Sequence, residues 1–385
     1  MRLIIKIILV LSFLAVNSSI LANEHITTVA EFAHIMDFDS DRVLLSKNAD
    51  SPMKPASMAK IMTLYIVFSR ISEGSLSLHD EFLVSEKAWK MGGSRSFLDV
   101  GTRVSIEELI NGIAVQSGND AAVVIAEGIS GSEEVFSDEM NSFAIKLGLN
   151  NTNFTNSTGW PDDNVTTTAR DLAILTAALI RDFPSETYPL LYPVFAKTNY
   201  TYNNIKQGNR NPLINKSPGA DGLKTGHTKE SGYGLVGSAK RNGQRIIMVL
   251  NGMKSKKQRA LESNRLMDLM FREFRKYTFF KEGEIVSTAN IWLGKEAKMP
   301  LVLKTELSRV LSKSERDSTK ITVNYNDPIQ APISLGDEVG TLWLEVNGVR
   351  EEISIVAGKE VGQLPILSRV TEAIKYLIFG AAPSF

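Results

Sequence analysis

The chain contains no cysteine. Without thiols no disulfide can staple it and no thiolate can act as nucleophile or zinc ligand, so a packed core must hold it together. Histidine is scarce: His25, His34, His79 and His227 are all there is, scattered without the close pairing of a metal site. Neither sign of charge is in excess, with 43 basic and 43 acidic residues among 385, so nothing in that balance calls for nucleic acid as a partner. Internal repeats and low-complexity tracts are missing as well, and no metal or organic cofactor is implied. What is present, 43% hydrophobic and 22% charged residues, is enough for a core and for more than one domain.

The two ends read as addresses. Met1-Arg2 and Lys6 precede an apolar run from Ile7 to Val16, and Ser18, Ser19 and Ala22 lead into polar Asn23-Glu24-His25. That order is expected of a cleavable secretory signal over residues 1–22, the run being short for a membrane span; a retained anchor is the alternative. From Leu364 to Ala381, Ile366, Leu367, Val370, Ala373, Ile374, Leu377, Ile378 and Ala381 recur at three- and four-residue steps, with Ser368, Arg369, Thr371, Glu372 and Lys375 opposite. The pattern predicts an amphipathic helix over residues 364–385, and its period fits docking on a bilayer, with Tyr376 and Phe379 at the headgroups, as well as docking on the protein's own body.

Between the ends the pattern is α+β. Val29–Asp37 and Val43–Leu45 around Asp39-Ser40-Asp41 predict a hairpin, and a helix starts near Ser57 after Pro52 and Pro55. Ser105 with Glu108 is a capping-box pattern for a helix that Ser117-Gly118-Asn119 breaks, a further run beginning at Ala121. Helices are predicted over Ala169–Ile180 and Gln258–Arg275. Leu223–Gly226, Gly234–Ser238 and Ile246–Leu250 predict adjacent antiparallel strands, with Asn242-Gly243 as one turn. From about Glu282 short β-rich runs follow, with Asn347-Gly348 as a hairpin signal, so residues 279–363 are expected to form a small all-β domain after a catalytic domain over residues 23–278.

Chemistry enters with three motifs in order: Ser57-Met58-Ala59-Lys60, Ser117-Gly118-Asn119 and Lys224-Thr225-Gly226-His227. A serine and a lysine three apart share a helix face, so the amine can take the hydroxyl proton, and the positive end of the helix favours an oxyanion beside Ser57. A glycine beside lysine and threonine on a strand predicts close approach of a ligand. Average composition yields roughly one or two Ser-x-x-Lys by chance in a chain this long, but Lys-Thr-Gly only on the order of once in ten such chains. The ordered set is therefore far rarer than its parts.

With Asn48-Ala49-Asp50 before Pro55-Ala56, and Gln116 and Asp120-Ala121 around the second motif, the set resembles low-molecular-mass penicillin-binding proteins that are D-alanyl-D-alanine carboxypeptidases, the DacA-like family. The likeness runs over nearly the whole mature chain. It implies an antiparallel sheet flanked by helices, the penicillin-binding and β-lactamase-like transpeptidase domain, followed by the all-β domain and a tail resting on the periplasmic face of the inner membrane. It implies Ser57 as acyl-ester nucleophile on a peptidoglycan stem peptide, Lys60 as general base with its pKa lowered by burial and by Lys224, Ser117 as proton relay, and Asn119 holding Lys60 and substrate. It places the oxyanion hole at the backbone N–H groups of Ser57 and His227, and Lys224, Thr225, Gly226, Arg259 and Arg210 around the substrate, with β-lactam antibiotics as inhibitors. Residues 90–97 and 158–164, bordering the site, depart from familiar members. A DD-endopeptidase is the near alternative. A β-lactamase is the farther one, since no counterpart of its deacylating glutamate is found, and an inert scaffold is disfavoured because every catalytic side chain is present.

Overall fold

The computed structural model describes residues 26–379, so the expected leader and the end of the expected tail lie outside it. Strands β1 (Phe32–Asp37) and β2 (Val43–Lys47) form the expected hairpin. With β3 (Ala220–Thr228), β4 (Gly232–Arg241) and β5 (Gln244–Met253) they make an antiparallel sheet in the order β2-β1-β5-β4-β3. The β4–β5 turn places Asn242 at φ 51° and Gly243 at φ 81°, the mirror-image turn whose twist suits two adjoining strands. Because β1 pairs with β5, the start of the domain is tied to its far end, and β3 is left as the edge strand.

Side chains alternate across this sheet. Ile247 and Val249 point into one core and Ile246, Met248 and Leu250 into another, as the two-residue period of a strand dictates. In the first core lies α1 (Lys60–Ser72), buried on all sides from Lys60 to Ser69, as a helix apolar all round must be. Around it stand α2 (Ile106–Asn111), α3 (Asn119–Ser130), α4 (Glu133–Lys146) and α5 (Ala169–Asp182). The second core is covered by α6 (Lys256–Glu273) through Leu266, Met267 and Met270. The sheet is thus sandwiched between helices.

The expected helix to Arg275 stops at Glu273: Phe274 is extended, and Phe274–Phe280, rich in aromatic residues, forms strand β6. It pairs with β9 (Leu307–Ser312). Strands β7 (Ile285–Trp292), β8 (Lys298–Leu303), β10 (Lys320–Tyr325), β11 (Ile329–Gln330), β12 (Glu338–Val346) and β13 (Val349–Ala357) form a six-stranded sheet ordered β10-β12-β13-β8-β7-β11. Its own core gathers Met299, Leu301, Leu342, Leu344 and Ile355. Helix α7 (Ile366–Phe379) follows.

Candidate active site

Pro55 ends an irregular approach, and Ala56–Ala59 form a tight 3-10 turn that runs directly into α1. The turn leaves Ser57 half-buried and Lys60, one turn on, completely buried. Three oxygens surround the Lys60 amine: Ser57 Oγ at 3.1 Å, Asn119 Oδ1 at 2.7 Å and the Thr158 carbonyl at 2.8 Å. Two of these can only accept. A neutral amine that donates its two N–H bonds to Asn119 and Thr158 has one lone pair left, for the Ser57 hydroxyl proton. Burial, and next the Arg210 cation, lower the Lys60 pKa to about 7, against the opposing pull of the Asp120 and Glu133 carboxylates. The Lys224 that the sequence sets beside this amine is coupled to it as well, and Arg210 is a further cation that the sequence does not place there.

The second motif is shaped by an irregular helix end. After α2 the chain makes a wider π turn over Gly112–Gln116, and Ser117 then adopts a left-handed conformation at φ 65°. Such a conformation costs a non-glycine residue on the order of 1–3 kcal/mol and is kept where the surroundings enforce it. The buried Ser117 hydroxyl has no hydrogen-bond partner among the described residues. Asn119 opens α3, two residues earlier than the periodicity predicts, and its Nδ2 donates to the Gly92 carbonyl at 2.8 Å while its backbone N–H donates to Ser94 O at 2.7 Å.

The third motif lies on edge strand β3. Gly226 does not open space for a ligand, as the strand pattern suggests: a Cβ there would lie 2.9 Å from Pro55 O, 3.1 Å from Met58 Cγ and 3.2 Å from Ala56 Cβ. The missing side chain admits the Ser57 turn itself. Gly159 does the same from the other side, where a Cβ would lie 1.8 Å from the Ala56 carbonyl oxygen. Lys224 and Thr225 are buried beside these contacts, and burial, followed by the cations of Lys60, Arg210 and Arg259, pushes the Lys224 pKa well down. An anion entering here would meet the Arg210 and Arg259 cations, and its charge would favour the protonated form of Lys224.

Arg259, on the first turns of α6, lies buried over the Tyr233 ring with its guanidinium carbon 5.7 Å from the centroid; burial lowers its pKa to about 10. His227 stacks on that tyrosine with centroids 3.7 Å apart, and its Nδ1 sits 2.9 Å from the Gly232 carbonyl oxygen. Arg210 reaches in from the solvent side and donates to Ser94 Oγ. A cavity of about 840 Å³ bordered by Lys54, His227, Tyr233 and Asn251 lies beside these groups and is not lined by Ser57 or Lys60.

Ser57, Lys60 and Asn119 are therefore directly bonded, Ser117 closes the same break, and Lys224 and Arg210 join them electrostatically. Sequence reasoning passes over the carbonyls of Thr158 and Gly92, because a backbone oxygen carries no sequence signal. It also passes over Tyr233, which no motif marks, and gives no role to Asp120, whose carboxylate accepts from the backbone N–H groups of Ser96 and Leu98.

Comparison with known proteins places this cleft in context. The family model described as D-alanyl-D-alanine carboxypeptidase matches residues 19–255, and one described as the C-terminal domain of penicillin-binding protein 5 matches residues 274–369. The D-alanyl-D-alanine carboxypeptidase DacF of Bacillus subtilis is 36% identical over 332 residues, 86% of this chain and 85% of that protein. The crystal structure of the D-alanyl-D-alanine carboxypeptidase DacD from Francisella tularensis superposes with a TM-score of 0.72 at 31% identity, covering 88% of this chain and 95% of that one. Penicillin-binding protein D2 from Listeria monocytogenes in an ampicillin-bound form matches with a TM-score of 0.58 at 27% identity over 64% of this chain and 98% of that one.

Proposed function

We infer how the reaction runs from one premise: the chain belongs to the D-alanyl-D-alanine carboxypeptidase family. It is a serine-type carboxypeptidase that removes the terminal D-alanine from peptidoglycan stem peptides. The observation that carries the assignment of roles is the Lys60 amine, bound by two obligate acceptors and turned to Ser57. Neutral Lys60 takes the hydroxyl proton as Ser57 Oγ bonds to the carbonyl carbon between the last two D-alanines. The oxyanion is met by the backbone N–H groups of Ser57 and His227. Ser117 passes the proton to the departing amine, the C–N bond breaks, and D-alanine leaves an acyl-serine ester that water hydrolyses. Asn119 holds the amine and the substrate amide. Lys224, Thr225 and Arg259 receive the terminal carboxylate, with Arg210 at the mouth, where their unrelieved positive charge favours an anion. β-Lactams acylate the same serine, in keeping with the ampicillin-bound relative.

The carboxypeptidase reading is favoured over endopeptidase and β-lactamase by the family match. Incubating the protein with a fluorescent penicillin and with a pentapeptide ending in D-Ala-D-Ala tests it: stable labelling with release of D-alanine is expected, and Ser57→Ala abolishes both. Release that survived this change would remove Ser57 from the mechanism. The same reading takes the chain to the periplasm through its N-terminal signal and rests α7 on the inner-membrane surface. Support for the anchor comes from Ile366, Leu367, Val370, Leu377 and Ile378, which remain exposed and do not pack on the body. Removal of residues 364–385 is expected to move the protein from membrane to soluble fractions; unchanged partitioning rejects the anchor.

A further inference from the structure

Trp160 stands at the rim of the cleft, 45% exposed, yet it is fixed at its base. Its backbone N–H donates to Asn156 Oδ1 at 2.9 Å and to Thr158 Oγ1 at 3.0 Å. The edge of its indole lies against two consecutive glycines. A Cβ on Gly92 would be 3.3 Å from Cη2, and one on Gly93 would be 3.1 Å from Cζ3 and 3.0 Å from Asn119 Nδ2. Gly92 supplies the carbonyl that holds the Asn119 amide at 2.8 Å, and the oxygen of that amide accepts from Lys60 at 2.7 Å. The second acceptor of Lys60, the Thr158 carbonyl, lies two residues before Trp160 on the same loop. One indole thus joins the loop that supplies one acceptor of the buried amine to the glycines whose carbonyl holds the other.

A Gly92-Gly93 pair has no side chains with which to pin itself and the widest backbone freedom available. Asp120 secures the far end of that loop through the N–H groups of Ser96 and Leu98, Asn119 bonds the carbonyls of Gly92 and Ser94, and the indole supplies the packing against Gly92 and Gly93. We propose that Trp160 is a positioning residue for acylation: it holds Gly92–Gly93 against Asn119 so that the amide keeps its oxygen on Lys60 and the cage stays closed to water. The proposal rests on the reading of Lys60 as the base that activates Ser57. The charged groups facing Lys60 are Lys224 from β3, Asp120 from α3, Glu133 from α4 and Arg210 from the segment before β3. None of them is removed when the indole is cut back. What changes is desolvation, the largest cause of the lowered pKa. With water admitted, the amine holds its proton to higher pH and fewer molecules carry a competent base at neutrality.

The test compares the pH dependence of acylation by a fluorescent penicillin, with kcat and KM for a D-Ala-D-Ala pentapeptide, in the wild type, Trp160→Ala and Trp160→Phe. Trp160→Ala is expected to shift the rising limb of the acylation profile up by about one pH unit, which makes the reaction roughly fivefold slower at pH 7 and nearly normal above pH 9. The loss falls on kcat, and Trp160→Phe, which restores a flat edge against the glycines, recovers most of it. An unmoved limb with a raised KM would make Trp160 a substrate contact and overturn the proposal, as would unchanged kinetics. If the alanine variant melts below the assay temperature, Trp160→Leu, which keeps apolar bulk without the planar edge, carries the same two outcomes. Labelling of Ser57→Ala alongside reports independently on the underlying reading: label on that variant defeats the nucleophile assignment whatever the Trp160 variants do.

Discussion

At the scale of single residues, Lys60 couples activity to stability with a definite sign. Its relative exposure is 0% and its pKa is lowered from 10.5 to about 7, so between those values the unfolded chain binds a proton that the folded chain does not. Stability therefore rises with pH from about 7 to the ordinary lysine value and is flat below, where both states are protonated. The penalty at neutral pH is at most about 5 kcal/mol, less whatever its three hydrogen bonds return. Replacing the amine with an apolar chain of similar length removes the penalty. Lys60→Met is expected to unfold at higher denaturant than the wild type at pH 7, with the gap closing toward pH 10, while acylation falls by roughly 10²–10⁴-fold. Denaturant titrations at the two pH values check it; a gap independent of pH would mean that Lys60 is charged in the folded protein. In the wild type, acylation should climb through pH 7 as the amine loses its proton, and a flat profile there would say that another group limits the step.

Elements decide how these residues meet, and here the sequence is legible to different depths. Periodicity shows α5 and the three strands β3, β4 and β5, because one face of each is buried and the pattern of apolar residues must follow. Turn chemistry shows the Asn242-Gly243 hairpin and the Ser105 capping box, where both reciprocal bonds form. Ser105→Ala should cost about 1 kcal/mol in a denaturation measurement, and a change below a few tenths would mean that tertiary contacts alone fix α2. What stays hidden is the origin of local geometry in distant backbone. The left-handed Ser117 and the early start of α3 follow from a π turn that no residue pattern announces, and the start of β6 is hidden because the helical period of α6 runs on through Arg275 in the sequence. Gly226 and Gly159 are glycines because the Ser57 turn is clasped between them, which only the folded chain reveals. Gly159→Ala, at φ +72° and with a Cβ 1.8 Å from the Ala56 oxygen, must move that turn. Acylation should drop at least tenfold, more than stability would suggest; melting temperature and labelling rate on the same sample decide, and a normal rate would show the turn to be compliant.

On the scale of the whole molecule, the peptidase body and the β body meet where Arg42 bonds Glu315 at 2.6 Å and the Val310 carbonyl, and α7 extends beyond both. Among the described residues no helix is long and apolar enough to cross a membrane, and the 14 residues of α7 span about 21 Å against a hydrocarbon core of about 30 Å. Resting along the bilayer surface, as proposed above, is the arrangement that its exposed apolar face would suit. Five apolar side chains on it are between 53% and 84% exposed, an arrangement that water penalises and a bilayer interface relieves. Burying one leucine is worth roughly 1.5–3 kcal/mol, so Leu377→Glu, which loses that and adds a charge, should weaken partitioning of the full-length chain onto phospholipid vesicles by about 10- to 100-fold or more. Because Arg369, Glu372 and Lys375 carry little net charge between them, added salt should change the partitioning of the unaltered chain only slightly. Acylation by penicillin in free solution should be the same for both chains, since α7 supplies nothing to the cleft. A variant that sediments with vesicles as well as its parent would show that the exposed face of α7 does not hold this protein to lipid.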